Sequence, residues 1–261
     1  MPNQFGFSIE SETIQPQKQF KVLLIGDSCI DKYVYCSCDR LSPEAPVPVL
    51  VEQRVQQTRG MAWNVRDNLL SFGVEVYIMT NQNMPVKTRY VDIKSNQQIM
   101  RLDQNDEVDE FSWDLPTEKF DALVISDYNK GFISEGRLFD LVEWFDGPTF
   151  IDSKKTHLPR NCFLKLNDLE AKKLTGVHPH LITTKGSKGA TYRGITYPGI
   201  KVPVFDVAGA GDTFLSALVY FYLKHGRIED AIPYANKCAA VAVRNSGTYV
   251  LSENDIIEIC N

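Results

Sequence analysis

No run of about 18 uninterrupted apolar residues occurs in the 261-residue chain, so nothing in it reads as a membrane-spanning helix. Residues 1 to 20 are polar and lack the apolar stretch of a secretion signal, which makes the cytoplasm the expected compartment, with no membrane partner. Positive charge is not in excess either: 28 Lys and Arg against 33 Asp and Glu leave a formal net charge of -5. A broad nucleic-acid surface would therefore lack its electrostatic driving force, and no nucleic-acid partner is expected. The six cysteines are scattered, and the close pair Cys36-x-Cys38 has neither the two-residue gap nor the second pair of a zinc site. They read as reduced thiols. Without an internal repeat, a low-complexity tract or a long linker, one main domain is expected after the polar tail of residues 1–20.

Apolar residues make up 43% of the chain, enough for a substantial core. Phe20–Asp27, Asp121–Tyr128, Thr149–Asp152, Phe163–Asn167 and Leu181–Thr184 are short apolar runs ending in polar residues, as in buried parallel strands. Helical stretches at Ala62–Phe72, Glu135–Phe145 and Asp168–Leu174 fall near or between them and give an α/β rhythm. In such open sheets a ligand sits beyond the strand carboxyl ends, a rule that gathers Asp27, Asp127, Asp152, Asn167 and Thr184 at one rim. Two other segments, about 32–57 and 86–102, alternate apolar and polar residues around turns and predict the strands of a small, half-exposed second sheet or lid.

The strongest local signal is Gly209-Ala210-Gly211-Asp212-Thr213 leading into the apolar stretch Phe214–Phe221. Small residues at a helix start leave backbone N–H groups uncovered and aimed along the axis, an arrangement that binds anions. Asp212 taken alone would equally suit a plain helix N-terminus.

Asp206–Asp212 resembles the Asp-Thr-x-Gly-Ala-Gly-Asp signature of the ribokinase-like (PfkB) carbohydrate kinases. The match extends to Ile25-Gly26-Asp27 with Asp31-Lys32-Tyr33, Leu41–Val49, Asn96–Asp103 and Ser126-Asp127-Tyr128-Asn129-Lys130-Gly131. In that order these segments resemble the heptose 7-phosphate kinases within the family, from about Lys21 onwards. The resemblance implies a three-layer α/β/α ribokinase-like (Rossmann-like) sheet with a small β-sheet lid, residues 21–261 forming one kinase domain. It implies ATP-dependent phosphorylation of a sugar or sugar phosphate, a heptose 7-phosphate or a similar substrate, with ATP and Mg²⁺.

It also implies roles for particular residues. Asp212 would be the general base, and the N–H groups of Gly209, Ala210 and Gly211 would form the anion hole. Asn167, Thr184, Gly186, Gly189, Asn236 and Gly247 would lie along the nucleotide, with Glu170 positioning Mg²⁺ through water. Asp31, Gly60 and Asn64 would hold the sugar, and Lys87, Arg89 and Arg101 would neutralise its phosphate. Lys154 would meet a phosphate oxygen. Each group also has an ordinary structural reading: a helix cap at Asn167 and Glu170, a solvated side chain at Lys154, a plain turn at Gly186–Gly189, and charges protecting an exposed sheet at Lys87, Arg89 and Arg101. Relatives with this lid pair it between subunits, so a homodimer is expected.

The chain also departs from the family. Gly60-Met61 replaces Gly-Gly, Trp63 precedes Asn64, Ala208 stands at a usual Thr, and only Thr80–Val86 connects segments that in relatives enclose a further helix and strand. These changes leave open a second function, a ribokinase-fold protein that binds sugar phosphate or nucleotide without turnover.

Overall fold

The structure is a computed structural model describing residues 19–112 and 114–260. Apart from Gln19 and Phe20, the polar tail expected over residues 1–20 lies outside the described residues. Four strands, β1 (Lys21–Gly26), β4 (Glu75–Thr80), β7 (Ala122–Asp127) and β8 (Thr149–Ser153), run parallel with β9 (Phe163–Asn167) and β10 (Leu181–Thr184). With the antiparallel β11 (Ala190–Tyr192) and β12 (Ile195–Tyr197) they form an eight-stranded sheet of order β12-β11-β10-β9-β8-β7-β1-β4. Its central strands are continuous apolar runs because helices cover both faces.

On one face pack α1 (Ala62–Ser71), α4 (Ala210–His225), α5 (Ile228–Ala242) and α6 (Glu253–Cys260), around Leu24, Val124, Phe150, Leu69, Leu215 and Ala235. On the other lies α2 (Glu135–Trp144), whose Leu138 and Leu141 meet Leu23, Ile125 and Ile151. Ser134 caps α2 through Arg137 N–H, and α4 ends at Gly226, a left-handed position suited to glycine, just after Lys224 and His225. The helix expected over Asp168–Leu174 is only α3 (Asp168–Ala171): Lys173 and Leu174 N–H turn back three residues, to Glu170 and Ala171, so the chain tightens and leaves the helix.

A second, four-stranded sheet of order β3-β2-β5-β6 joins β2 (Ser28–Leu41), β3 (Pro48–Met61), β5 (Val86–Asp92) and β6 (Gln98–Gln104). Residues opposite one another across a sheet share a face. Asp31, Lys87 and Asp103 therefore point to one side with Tyr33, Arg89 and Arg101, while Val34, Val55, Tyr90 and Met100 form a row on the other. The short connection before β5 is stitched by Asn81, which is 2% exposed: its Oδ1 accepts Ser28 N–H at 2.7 Å and its Nδ2 donates to Asn83 O at 2.7 Å. This amide ties the strand β4 directly to the start of β2 where relatives were expected to insert further elements.

Candidate active site

Helix α4 starts at the carboxyl rim of the main sheet. Gly209 precedes it at φ 75°, and a side chain there would run into Asn64 Nδ2 and Thr248, so glycine is needed on both counts. The first N–H groups of the helix have no intrahelical partner. Asp212 lies within this first turn and is 2% exposed. Its Oδ1 accepts the Tyr128 hydroxyl at 2.7 Å and its Oδ2 accepts Asn64 Nδ2 at 3.0 Å. Burial pushes its carboxyl up to about 6, against the pull of those two hydrogen bonds. A carboxylate with that affinity takes and returns a proton near neutral pH.

Three cationic side chains converge on this group. Lys165, buried within β9, forms an ion pair with Asp152 at the end of β8, and a Cβ on Gly211 would stand 2.9 Å from Lys165 Nζ. The ammonium therefore sits against the helix start. Lys87 and Lys154 each place Nζ 5.3 Å from the centre of the Tyr128 ring. Lys87 is 8% exposed, and no carboxylate lies within ion-pair distance of it among the described residues. A buried cation without a protein counter-ion is costly, and a bound anion offsets the cost.

Asp27 and Asp127, expected at the rim, serve the loop that carries Tyr128. Asp27 accepts Tyr128 N–H at 2.5 Å, with Lys130 and Phe132 N–H further out, while Asp127 takes Asn129 N–H and the Lys155 ammonium. Burial, together with the Asp127 charge, pushes Asp27 up to about 6.

Thr184, Gly186, Gly189 and Asn236 line one pocket of about 190 Å³ with Val202, Val207, Ala239 and Val243, and this pocket reaches Ala210 and Gly211 at the helix start. Its walls are mostly apolar, as suits an aromatic base, and its floor is the start of α4. Asn236 Nδ2 donates to Tyr197 O and Pro198 O, which fixes its orientation. The remaining nucleotide-side residues stand outside this lining. Asn167 caps α3, and Glu170 closes the capping box on Asn167 N–H while pairing with Lys154. Gly247 gives its N–H to Asp206 Oδ2 at 2.9 Å and faces the Tyr33 ring.

On the acceptor side, Arg89 Nη1 contacts Asp31 Oδ1 at 2.5 Å, and a Cβ at Gly60 would overlap the Asp31 carboxylate. Asp31 lies inside β2. Arg101 shares the face of Arg89 but is half exposed and forks onto Asp103 at 2.6 Å. Asn64, expected on the sugar, is drawn to Asp212 instead. Met61 adopts φ 59°, a conformation that favours the glycine of relatives and costs about 1–3 kcal/mol in other residues. Trp63, a departure from the family pattern, lies between Arg59 and Arg66, 4.4 and 5.0 Å from its ring.

Tyr128, Asp152 and Lys165 are the site groups to which sequence reasoning assigned no role. Lys165 had a signal: a lone lysine inside the apolar run Phe163–Leu166 is buried with its charge and needs a partner. Tyr128 had none beyond its motif, because only the fold brings it to Asp212.

Residues 163–255 match the pfkB family carbohydrate kinases. Among curated proteins, the chain is 28% identical to the bifunctional protein HldE of Nitratiruptor over 303 residues, covering 91% of this chain and 64% of that protein. It is 29% identical to HldE of Helicobacter pylori over 311 residues, covering 92% and 67%. The chain thus spans about two thirds of the length of these relatives, and both alignments are longer than the chain itself, so the relatives carry segments that it lacks. Among solved structures, the ribokinase of Thermotoga maritima superposes with a TM-score of 0.69 at 13% identity, covering 92% of this chain and 99% of that one. The Arabidopsis thaliana ribokinase bound to ribose and ATP gives 0.68 at 14% identity, covering 93% and 99%. The matching region and the common fold converge: residues 163–255 are similar to the pfkB family carbohydrate kinases, and the chain has the ribokinase-like fold.

Proposed function

We propose that the chain transfers the terminal phosphoryl group of ATP to a hydroxyl of a sugar phosphate, a heptose 7-phosphate or a near analogue. The observation that carries this reading is the position of Asp212: a buried carboxylate, raised to about 6, one turn into a helix whose start forms the floor of the Thr184–Asn236 pocket. Adenine and ribose fit the apolar pocket, and the phosphates run towards the N–H groups of Gly209, Ala210 and Gly211, with Lys165 beside them. Asp212 takes the proton of the attacking hydroxyl as the phosphoryl group leaves ATP. The amides and lysines balance charge that builds up in the transition state, which is where this reaction needs most help.

Among the described residues no cluster of three or more His, Cys, Asp or Glu is built to hold a metal ion directly. Although burial opposes ionisation of Glu170, the Lys154 ammonium and Asn167 N–H hold its carboxyl below the usual range, so it stays charged. That charge fits an ion carried on the nucleotide phosphates and reached through water. Glu170 would hold Mg²⁺ there through water, and the ion would supply neutralisation of phosphate charge.

For the acceptor, Lys87 supports a phosphorylated sugar, since among the described residues no carboxylate pairs with its buried ammonium. Asp31 and Arg89 offer a paired acceptor and donor for sugar hydroxyls. The apolar row Val55–Val34–Tyr90–Met100 on the outer face of the second sheet supports a homodimer through that sheet. A screen of ADP release over sugars and sugar phosphates, with ATP and Mg²⁺, tests the reading. Release with a sugar phosphate and not with its unphosphorylated parent is expected. Binding of ATP and a sugar phosphate without ADP release above background would instead support the non-catalytic alternative.

A further inference from the structure

We propose that Tyr128 stands in for the acceptor: its hydroxyl holds the place on the Asp212 carboxylate that the attacking hydroxyl must take, so the acceptor displaces it and water is kept from the base until then. The inference rests on the phosphoryl-transfer reading above and adds a residue that decides what may reach the base.

The geometry leaves one oxygen in question. Asp212 Oδ2 is committed to Asn64 Nδ2, and Asn64 is itself held on α1 by Asn68, whose Nδ2 donates to Asn64 Oδ1 at 3.2 Å and to Asn64 O at 3.0 Å. Only Oδ1 remains for an acceptor, and the Tyr128 hydroxyl donates to it at 2.7 Å. A phenol and a sugar alcohol present the same group to a carboxylate, an O–H donor at ordinary hydrogen-bond distance. With that donor in place Asp212 is 2% exposed, so neither water nor substrate has access to the base.

Tyr128 is built to leave and return. Its backbone is anchored, with N–H on Asp27, and the next residue, Asn129, sits at φ 56° with its N–H on Asp127 Oδ1 at 2.9 Å. Rotation about the side-chain bonds frees Asp212 without breaking either anchor. The ring lies near the ammonium groups of Lys87 and Lys154, so the same cations that suit substrate anions also hold the ring by cation–π attraction while the site is empty. The phenol is not a rival nucleophile: burial, reinforced by the charges of Asp212 and Asp152, raises its pKa well above that of free tyrosine and keeps the proton on oxygen.

Such a plug matters for a kinase because water is the acceptor that must be refused. A base open to solvent next to bound ATP would activate water and waste the nucleotide.

The test is Tyr128→Phe, which keeps the ring and removes the hydroxyl. In the presence of ATP and Mg²⁺ the variant is expected to release ADP without any sugar about tenfold faster than the unaltered chain, and to show an acceptor KM lower by about the same factor, the worth of one hydrogen bond to a charged group. An activity-independent readout accompanies it: the titration midpoint of the Asp212 carboxyl by ¹³C NMR, its resonance assigned through Asp212→Asn. Asp152, Lys154, Lys165 and Cys29 also face Asp212 and are unchanged in the variant, so loss of the tyrosine donor alone should raise the midpoint above the value in the unaltered chain. An unmoved midpoint overturns the inference whatever the turnover, as does a raised midpoint with unchanged water-driven ADP release. A raised midpoint in a chain that phosphorylates no sugar overturns the kinase reading instead, and leaves Tyr128 only as the partner of Asp212.

Discussion

The two sheets of this chain follow opposite rules of burial. In the main sheet β7 and β8 are buried at every position and β1 at all but its first. In the second sheet β3 and β6 are exposed at most positions, and Val51 and Met100 stand near 50%. Chemistry is placed accordingly. Asp212, Asp152 and Lys165 sit at the rim of the buried sheet with fixed partners, whereas Arg101, on the exposed sheet, pairs with the nearby, partly exposed Asp103. A rigid, packed strand end holds a reacting group within the tolerance catalysis demands. A half-exposed sheet is better suited to closing over a ligand or meeting a second copy.

If that division of labour is correct, the largest loss comes from the rim. Asp212→Asn is expected to lower turnover about 10²- to 10⁴-fold, with little change in ATP affinity, in an ADP-release assay. Arg101→Ala should cost far less, since its guanidinium is solvated. Equal losses for the two would break the comparison.

Stability separates the sheets in the same way. Phe150 is fully buried on β8, stacked 5.1 Å from Phe163 and edge-on to Tyr222 at 5.3 Å. Phe150→Ala should cost about 3–5 kcal/mol in urea denaturation, through lost transfer energy and the cavity left behind. Val51→Ala on β3 should stay within about 0.5 kcal/mol.

How much of this was legible in the sequence follows from the same contrast. The parallel strands could be read because burial on both faces forces apolar runs, and the second sheet because half exposure forces alternation. The glycine turn before an apolar helix was legible as a local signal with a physical reason, while Asp212 within it read equally as a helix cap until the resemblance gave it a role. The partners of Asp212 were not legible. The Tyr128–Asp212 bond spans 84 positions and the Asn64–Asp212 bond spans 148, and no local pattern encodes such a meeting. The departure at Met61 was visible as a residue change, but its cost became clear only from the positive φ it adopts. The missing segment before β5 was visible as a shortfall in length; that Asn81 repairs it needed the fold.

Asp212 also carries a stability cost with a definite sign. Its folded-state pKa, about 6, lies above the ordinary aspartate value of 3.8, so between those values the folded form binds more protons and stability falls as pH rises. The contribution is full below pH 4 and lost above pH 6. Asp212→Asn should therefore stabilise the fold at pH 8 by on the order of 1–3 kcal/mol, an advantage that shrinks towards pH 4. Thermal melts at the two pH values read the difference. A destabilised variant at pH 8 would mean that the carboxylate is held by more than Tyr128 and Asn64.

The smallest effect on the single chain should be the most informative about the exposed sheet. Val55 is 38% exposed and Met100 47%, on one row with the buried Val34. If a second copy covers this row, Val55→Lys puts a charge where two apolar faces meet, and burying it unpaired costs more than the contact returns. Light scattering should then change from dimer to monomer, while the urea midpoint measured at low protein concentration moves by no more than about 0.5 kcal/mol. The main sheet predicts the second half of that result, since its core lies on another set of strands. A monomer before the substitution would rule out a second copy on this row, and the same variant would then leave acceptor KM unchanged, because the row faces away from Asp31, Lys87 and Arg89.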